Sequence, residues 1–381
     1  MIIPSNQYSM NNIRTVILFA AMSASLWSCG TGIVRHDDDP TPSVNSLVLR
    51  ASTTVIEADG NDAVQLEVLA DGVPVTEGVR LYDGVTNLAI ELPSMTFTTT
   101  EPGTYYFWAA YGTAHTEQLK VTAVGFDLPS LPEDPEPDNT SFVRRVLLTQ
   151  FTGTGCGFCP GMIEILRSVL ADEDYASRVV HTAAHTYNNT DPAYLSQRLD
   201  QAMGVSDYPM VVADMAYSHS NYLDEGGLRD MLDQAYDASA ANAGISAATA
   251  FADGQLVVMA SVKAAVTAEY CIGAWLLEDG IYGKQTNYNR PGTWTGDYDT
   301  HDNCIRYADS RVSNVDYCGF SLGTVEAGRS AEYVFTIGFE DDWIPDNCHV
   351  AVFVTERRDR GWAVNNVVDV PLNGSAAFKY E

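Results

Sequence analysis

Cys156-Gly157-Phe158-Cys159 are the residues whose types and spacing best suit chemistry in this chain. The run TGTGCGFCPG follows an apolar, β-rich stretch, and Ile163, Leu166, Val169 and Leu170 follow it at helical spacing. The pair is therefore expected at the start of a helix. There the first sulfur meets unpaired backbone N–H groups and the positive end of the helix dipole, and both favour thiolate over thiol. Two intervening residues let the second sulfur reach the first. Cys156 is then expected as an exposed nucleophile, and Cys159, one turn deeper, as the resolving thiol that releases a mixed disulfide. Zinc competes for such a pair, because His181 and His185 form H-x-x-x-H downstream. VVHTAAH reads as a strand, however, where residues four apart lie about 13 Å from one another. Both imidazoles then cannot bind one tetrahedral ion, and no metal and no cofactor is expected. A second mixed set, His301, Cys304, Cys348 and His349, has no standard ligand spacing.

The elements that must position the pair alternate between strand and helix. A buried strand is expected over Phe142–Phe151, a helix from Met162 to Ala171 and a second strand over Arg178–Ala184. A helix over Tyr194–Met203, a strand from Tyr208-Pro209-Met210 and an amphipathic helix over Leu228–Ala240 complete the pattern. Such alternation implies an α/β sheet over residues 142–243. Residues 126–141, FDLPSLPEDPEPDNTS, are rich in proline and acid and read as an extended, semi-rigid linker. Residues 44–125 show short alternating runs punctuated by Asp71-Gly72 and Asp83-Gly84. The run from Glu101 to Trp108 suits the corner of an immunoglobulin-like (Ig-like) β-sandwich, with Tyr105 two residues after Gly103. Residues 244–381 lose helical periodicity and read as a C-terminal β-sandwich.

Around the cysteine pair the sequence resembles the thioredoxin superfamily. The matching residues are the strand ending Thr149-Gln150-Phe151, Cys156 to Cys159 with Pro160, and Tyr208-Pro209 before a later strand. The resemblance implies a thioredoxin-like α/β domain and gives Pro209 the role of a cis proline lying against the active disulfide and shaping the substrate groove. X-Pro is the common place for a cis bond. Gly155 and Phe158 depart from the usual Trp and Pro of that superfamily, and no buried carboxylate for proton transfer is evident. More narrowly, residues 142–381 resemble the 28-kilodalton outer-membrane protein family of anaerobic Gram-negative bacteria. Phe151-Thr152-Gly153, Cys156 to Pro160, Val205 to Pro209, Leu277 to Ile281 with Gln285, and His301 to Arg306 carry that resemblance. It implies a lipoprotein with a thioredoxin-like domain and a β-rich tail, considered for adhesion as well as redox work.

The N-terminus agrees with export. Arg14 precedes an apolar run, Thr15 to Met22, that is too short for a permanent membrane helix. Leu26-Trp27-Ser28-Cys29 resembles a bacterial lipobox, which makes 1–28 a signal peptide, Cys29 the lipidation site and 29–43 a tether. Gly30 after the cysteine implies the outer membrane, facing the periplasm or the cell surface. The chain has 381 residues and a formal net charge of -29, which excludes nucleic acid as a partner because phosphate contacts need a basic surface. Export permits disulfides. Cys271, Cys304, Cys318 and Cys348 allow three pairings; at least one bridge is expected, such as Cys271–Cys348 across strands or Cys304–Cys318 closing a short loop, and the alternative is four buried, inert thiols. The function expected is thiol–disulfide exchange on exported proteins. The alternative is a non-catalytic surface adhesion lipoprotein that binds surface ligands, with CGFC as a structural disulfide.

Overall fold

A computed structural model describes residues 44–288, 294–311, 317–359 and 361–381. The signal segment, Cys29 and the tether lie outside the described residues. Alternation along the first strands sets the N-terminal architecture. In Val64–Ala70, for example, Val64, Leu66 and Val68 are buried while Gln65 and Glu67 are exposed. One sheet runs Leu47–Ala51, Val64–Ala70, Val73–Val75, and the facing sheet is built on Gly103–Tyr111, flanked by Leu119–Val124 and Val79–Asp83. Their inner faces share a core of Ile56, Leu66, Leu81, Phe107 and Val121. The Tyr105 hydroxyl donates to the Glu101 carbonyl at 2.7 Å, pinning the corner its sequence position suggested.

The proline-rich segment does not float. Phe126 and Leu128 pack against the cluster of Val55, Val124 and Val257. The Lys263 ammonium, 3% exposed, lies 2.9 Å from the Asp134 carboxylate and donates to the Pro137 carbonyl at 2.6 Å. This buried lysine, with the Tyr380 hydroxyl on Asp134 and Glu57 on the Leu128 N–H, fixes a segment that prolines keep out of any ladder.

The region around the cysteine pair begins with β1 (Val146–Thr152), buried along its whole length. Then come α1 (Cys159–Leu170), α2 (Glu173–Arg178) and β2 (Val179–His185), with β2 parallel to β1 from Val146↔Val179 to Thr152↔His185. The helix expected over Tyr194–Met203 shortens to a single turn, α3 (Leu199–Ala202). Tyr194 instead bridges to His185 and the Leu195 N–H donates to the His185 carbonyl at 2.9 Å, so these residues extend the end of β2. β3 (Met210–Ala213) runs antiparallel to β1, and β4 (Tyr217–His219) pairs with β3. α4 (Glu225–Asp237) is capped by Asp224, whose side chain accepts from the Gly227 N–H. α1 and α4 cover one face of β1 and β3 through Leu148, Met162, Leu166, Val211, Leu228 and Leu232.

C-terminal strands continue this sheet. β2 meets β8 (Cys304–Asp309) through Ala183↔Cys304, and β8 leads on to β7 (Ala268–Glu278), β11 (Cys348–Arg358) and β12 (Gly361–Pro371). One nine-stranded sheet thus spans residues from both 142–243 and 244–381, with β9 (Phe320–Val325) paired on β7. A four-stranded sheet of β10 (Ser330–Gly338), β6 (Gln255–Ala264), β5 (Ala243–Ala252) and Ser375–Ala376 closes the C-terminal core over Ile272, Leu276, Val352 and Val370. The whole is β-rich, and among the described residues the α-helices all lie between Cys159 and Asp237.

Candidate functional site

Cys156 and Cys159 are joined in a disulfide, with Cα atoms 5.4 Å apart. Cys159 is the first residue of α1 and Pro160 the second, where a missing N–H costs the helix nothing. Cys156, expected from sequence as an exposed nucleophile, is only 3% exposed, and Cys159 is 0% exposed. The cover comes from about 130 residues downstream. The Gln285 side-chain amide donates to the Cys156 carbonyl at 2.9 Å and reaches the Gly153 carbonyl at 3.3 Å. The Thr286 N–H donates to Thr154 at 2.7 Å and the Tyr288 N–H to Gly157 at 2.8 Å. Residues 283–288 therefore form a strap along the 153–157 loop. Glycine at 157 is what lets it close, since a Cβ there would sit 2.4 Å from the Tyr288 ring. Phe158, between the cysteines, is 42% exposed, stacked on Tyr222 and edge-on to Tyr288.

Tyr208–Pro209 is a cis peptide, and Pro209 is buried. Pro209 immediately precedes Met210, which pairs with Phe151 of β1. Register thus brings Pro209 to the sheet end from which the CGFC loop departs. The Tyr208 hydroxyl shares a 2.8 Å hydrogen bond with Thr186. Cys29, the remaining expected site residue, lies outside the described residues.

A second support holds the same loop from residues 185–193. The Asp191 carboxylate is 2.8 Å from His185 Nδ1 and accepts from the Thr154 N–H at 2.6 Å and the Ala193 N–H at 2.9 Å. Burial alone would raise this carboxyl, but the His185 contact and the two amide bonds outweigh it and bring it down to about 2. His185 Nε2 in turn lies 3.6 Å from Cys304 Sγ, a thiol that burial pushes well above its ordinary value. The His301 ring stands edge-on to His185 at 4.8 Å. Asp191 carries no local signal in TDPAY, and Gln285 stood out only as part of a resemblance, with no role attached.

The expected bridges in the tail do not form. Cys271 pairs with Thr355 while Cys348 pairs with Glu278, so the two cysteines lie seven positions apart along neighbouring strands, about 23 Å at 3.3 Å per residue. Cys304 sits opposite Glu278, whereas Cys318 lies with its sulfur 3.9 Å from that of Cys271 at the far end of β7. The Cys348 thiol donates to the Ile344 carbonyl at 3.3 Å.

The chain is thus a β-rich protein with a C-x-x-C disulfide at a helix start, roofed by a strap from its C-terminal region. No protein-family model matches it, and no curated protein sequence does. Among solved structures it is similar to HBP35 of Porphyromonas gingivalis, at 18% identity and a TM-score of 0.49 over 61% of this chain and 77% of that one. It is also similar to a domain of the outer membrane lipoprotein Omp28 from Porphyromonas gingivalis, at 18% identity and a TM-score of 0.22 over 35% of this chain and 88% of that one. Likenesses this distant carry no function across, and the chemistry rests on the residues of this chain.

Proposed function

We propose that this protein is a lipoprotein, anchored in the outer membrane through Cys29, that exchanges disulfides with exported proteins through Cys156 and Cys159. The observation that carries the reading is the Cys156–Cys159 disulfide at the start of α1. The parallel β1–α1–β2 unit, the antiparallel β3 and Pro209 at its head support a thioredoxin-like domain over 142–243. Residues 44–125 and 244–381 are then its flanking β-sandwiches. In the oxidised form described here, a substrate thiolate attacks Cys156 Sγ and the S–S bond breaks, leaving Cys159 as thiolate. The second substrate thiolate then closes the substrate disulfide and releases Cys156. Two electrons pass to the protein, and the reverse sequence reduces a substrate. Exposed Phe158, with Tyr288 beside it, supplies an apolar landing surface next to the sulfurs.

Burial of both sulfurs favours a second reading, in which CGFC staples a turn and the protein binds surface ligands without catalysis. Disulfide reductase activity on insulin, compared with Cys156→Ser, separates the two. Activity lost in the variant supports exchange; no activity in the folded wild type supports adhesion.

A further inference from the structure

A cavity of about 340 Å³ lies between α1 and the sheet, opening beside Thr300–Asn303. Its floor departs from what a helix–sheet interface requires. On the α1 side of β1, Val146 and Leu148 are followed by Gln150 and Thr152; on β2 the partners in register include His181, Ala183 and His185. The interface is apolar at its base and turns polar toward the CGFC end. Gln150 is 4% and Thr152 3% exposed, yet Gln150 Nε2, Thr152 Oγ1 and His181 Nε2 have no hydrogen-bond partner among the described residues. Buried polar atoms are normally paired, and each exception calls for an explanation. Here three of them line one cavity.

The surroundings narrow what could pair with them. The roof is Ile163, Leu166 and Leu170, an apolar surface opposite the polar floor. Burial drives the His181 imidazole down to about 4, so it is neutral at pH 7, and lowers that of His301; the charged side chains of the lining, Arg167 and Asp302, are exposed, and Arg167 is already engaged by Glu164 and by the Asp297 carbonyl at 3.0 Å, so no charge is buried inside to select an ion. No three His, Cys, Asp or Glu side chains among the described residues converge to hold a metal ion. The volume falls at the lower end of small-molecule sites, which run from about 300 Å³.

We infer that this cavity binds a small uncharged heterocycle, its face against Ile163, Leu166 and Leu170 and its hydrogen-bonding edge on Gln150 and His181. The amide N–H of Gln150 asks for an acceptor, and the neutral His181 and the Thr152 hydroxyl accept a donor or an acceptor. A molecule bearing both on one edge satisfies Gln150 and His181, while Thr152, in register with His185, lies about 13 Å along the strands from the level of His181. The inference is independent of disulfide exchange, since neither sulfur lines the cavity.

The test titrates nicotinamide, cytosine and adenine, separately, into the full chain and follows the His181 ring resonances by NMR. At least one probe is expected to bind saturably and shift those resonances. Gln150→Leu should weaken that binding about tenfold, the loss of one or two good hydrogen bonds. Leu170→Trp, which fills the cavity from the roof and removes no polar group, should abolish it. If Gln150→Leu fails to fold, Leu170→Trp and the wild-type His181 shifts decide the matter. No binding of any of the three to the folded wild type overturns the proposal, as does binding that leaves the His181 resonances unmoved or survives Leu170→Trp.

Discussion

Removing the Gln285 side chain by Gln285→Ala should make the Cys156–Cys159 disulfide easier to reduce. Gln285 is buried, and its amide nitrogen serves the carbonyls of Cys156 at 2.9 Å, Thr286 at 3.1 Å, Gly153 at 3.3 Å and Thr154 at 3.4 Å. Deleting it leaves at least the Cys156 carbonyl without this donor inside the protein, at a cost of about 1–3 kcal/mol. The backbone bonds from Thr286 and Tyr288 still hold the strap, so the cost falls on local opening rather than on the whole fold. At 1.4 kcal/mol per factor of ten, the open population rises roughly 5- to 150-fold. Reduction through the open state should accelerate by the same factor. The assay follows free thiol by alkylation and mass spectrometry at fixed dithiothreitol, under conditions where circular dichroism shows native structure. An unchanged rate in a folded variant would refute the idea that the strap controls access to the disulfide.

Arg144→Met should destabilise the protein by about 3–5 kcal/mol in urea, because it strands the fully buried Asp214 without its ion-pair partner. Pairing it with Asp214→Asn, which removes the stranded charge, keeps an acceptor for the Leu147 N–H and suits the φ of 50° at this position, should restore much of that loss. Gly161→Ala places a Cβ 2.5 Å from the Trp294 ring and should cost about 1–3 kcal/mol, with a shift in tryptophan emission reporting the displaced indole. Burial pushes the Asp309 carboxyl up to about 6, against an ordinary 3.8. The native state therefore holds this proton more tightly than the unfolded state, and stability should rise as pH falls from 7 through 6 toward 4, by up to about 3 kcal/mol. Asp309→Asn should raise stability at pH 7 and flatten that part of the profile, as measured by denaturant titration.

Features governed by local signals were legible in the sequence. Helical spacing after Gly-Phe-Cys-Pro placed the cysteines at the start of α1, and Gly103-Thr-Tyr105 placed the hydroxyl that closes the N-terminal corner. VVHTAAH read as a strand, and it forms β2, in which His181 and His185, four positions apart, fall on one face. Features that depend on distant partners were not legible. Nothing near Gln285 says that it will lie over a loop about 130 residues upstream, and nothing in TDPAY marks Asp191 as the acceptor for Thr154. The sheet passes from β2 to β8 through the single register pair Ala183↔Cys304, too little for a pattern to announce. Cys271 and Cys348 do lie on adjacent strands, but register, which composition does not encode, separates them by seven positions. The helix expected over Tyr194–Met203 lost its first turns because the end of β2 captured Tyr194 and Leu195.

Thiol–disulfide exchange is tested most directly by the equilibrium potential of the Cys156–Cys159 pair in glutathione buffers, read from alkylated protein. Exchange predicts a reversible two-electron transition in the range of thiol oxidoreductases, about -270 to -120 mV, with Cys159→Ser trapping a mixed disulfide on Cys156. A pair that stays oxidised below about -300 mV, the range of structural disulfides, or that reduces only on unfolding would contradict it.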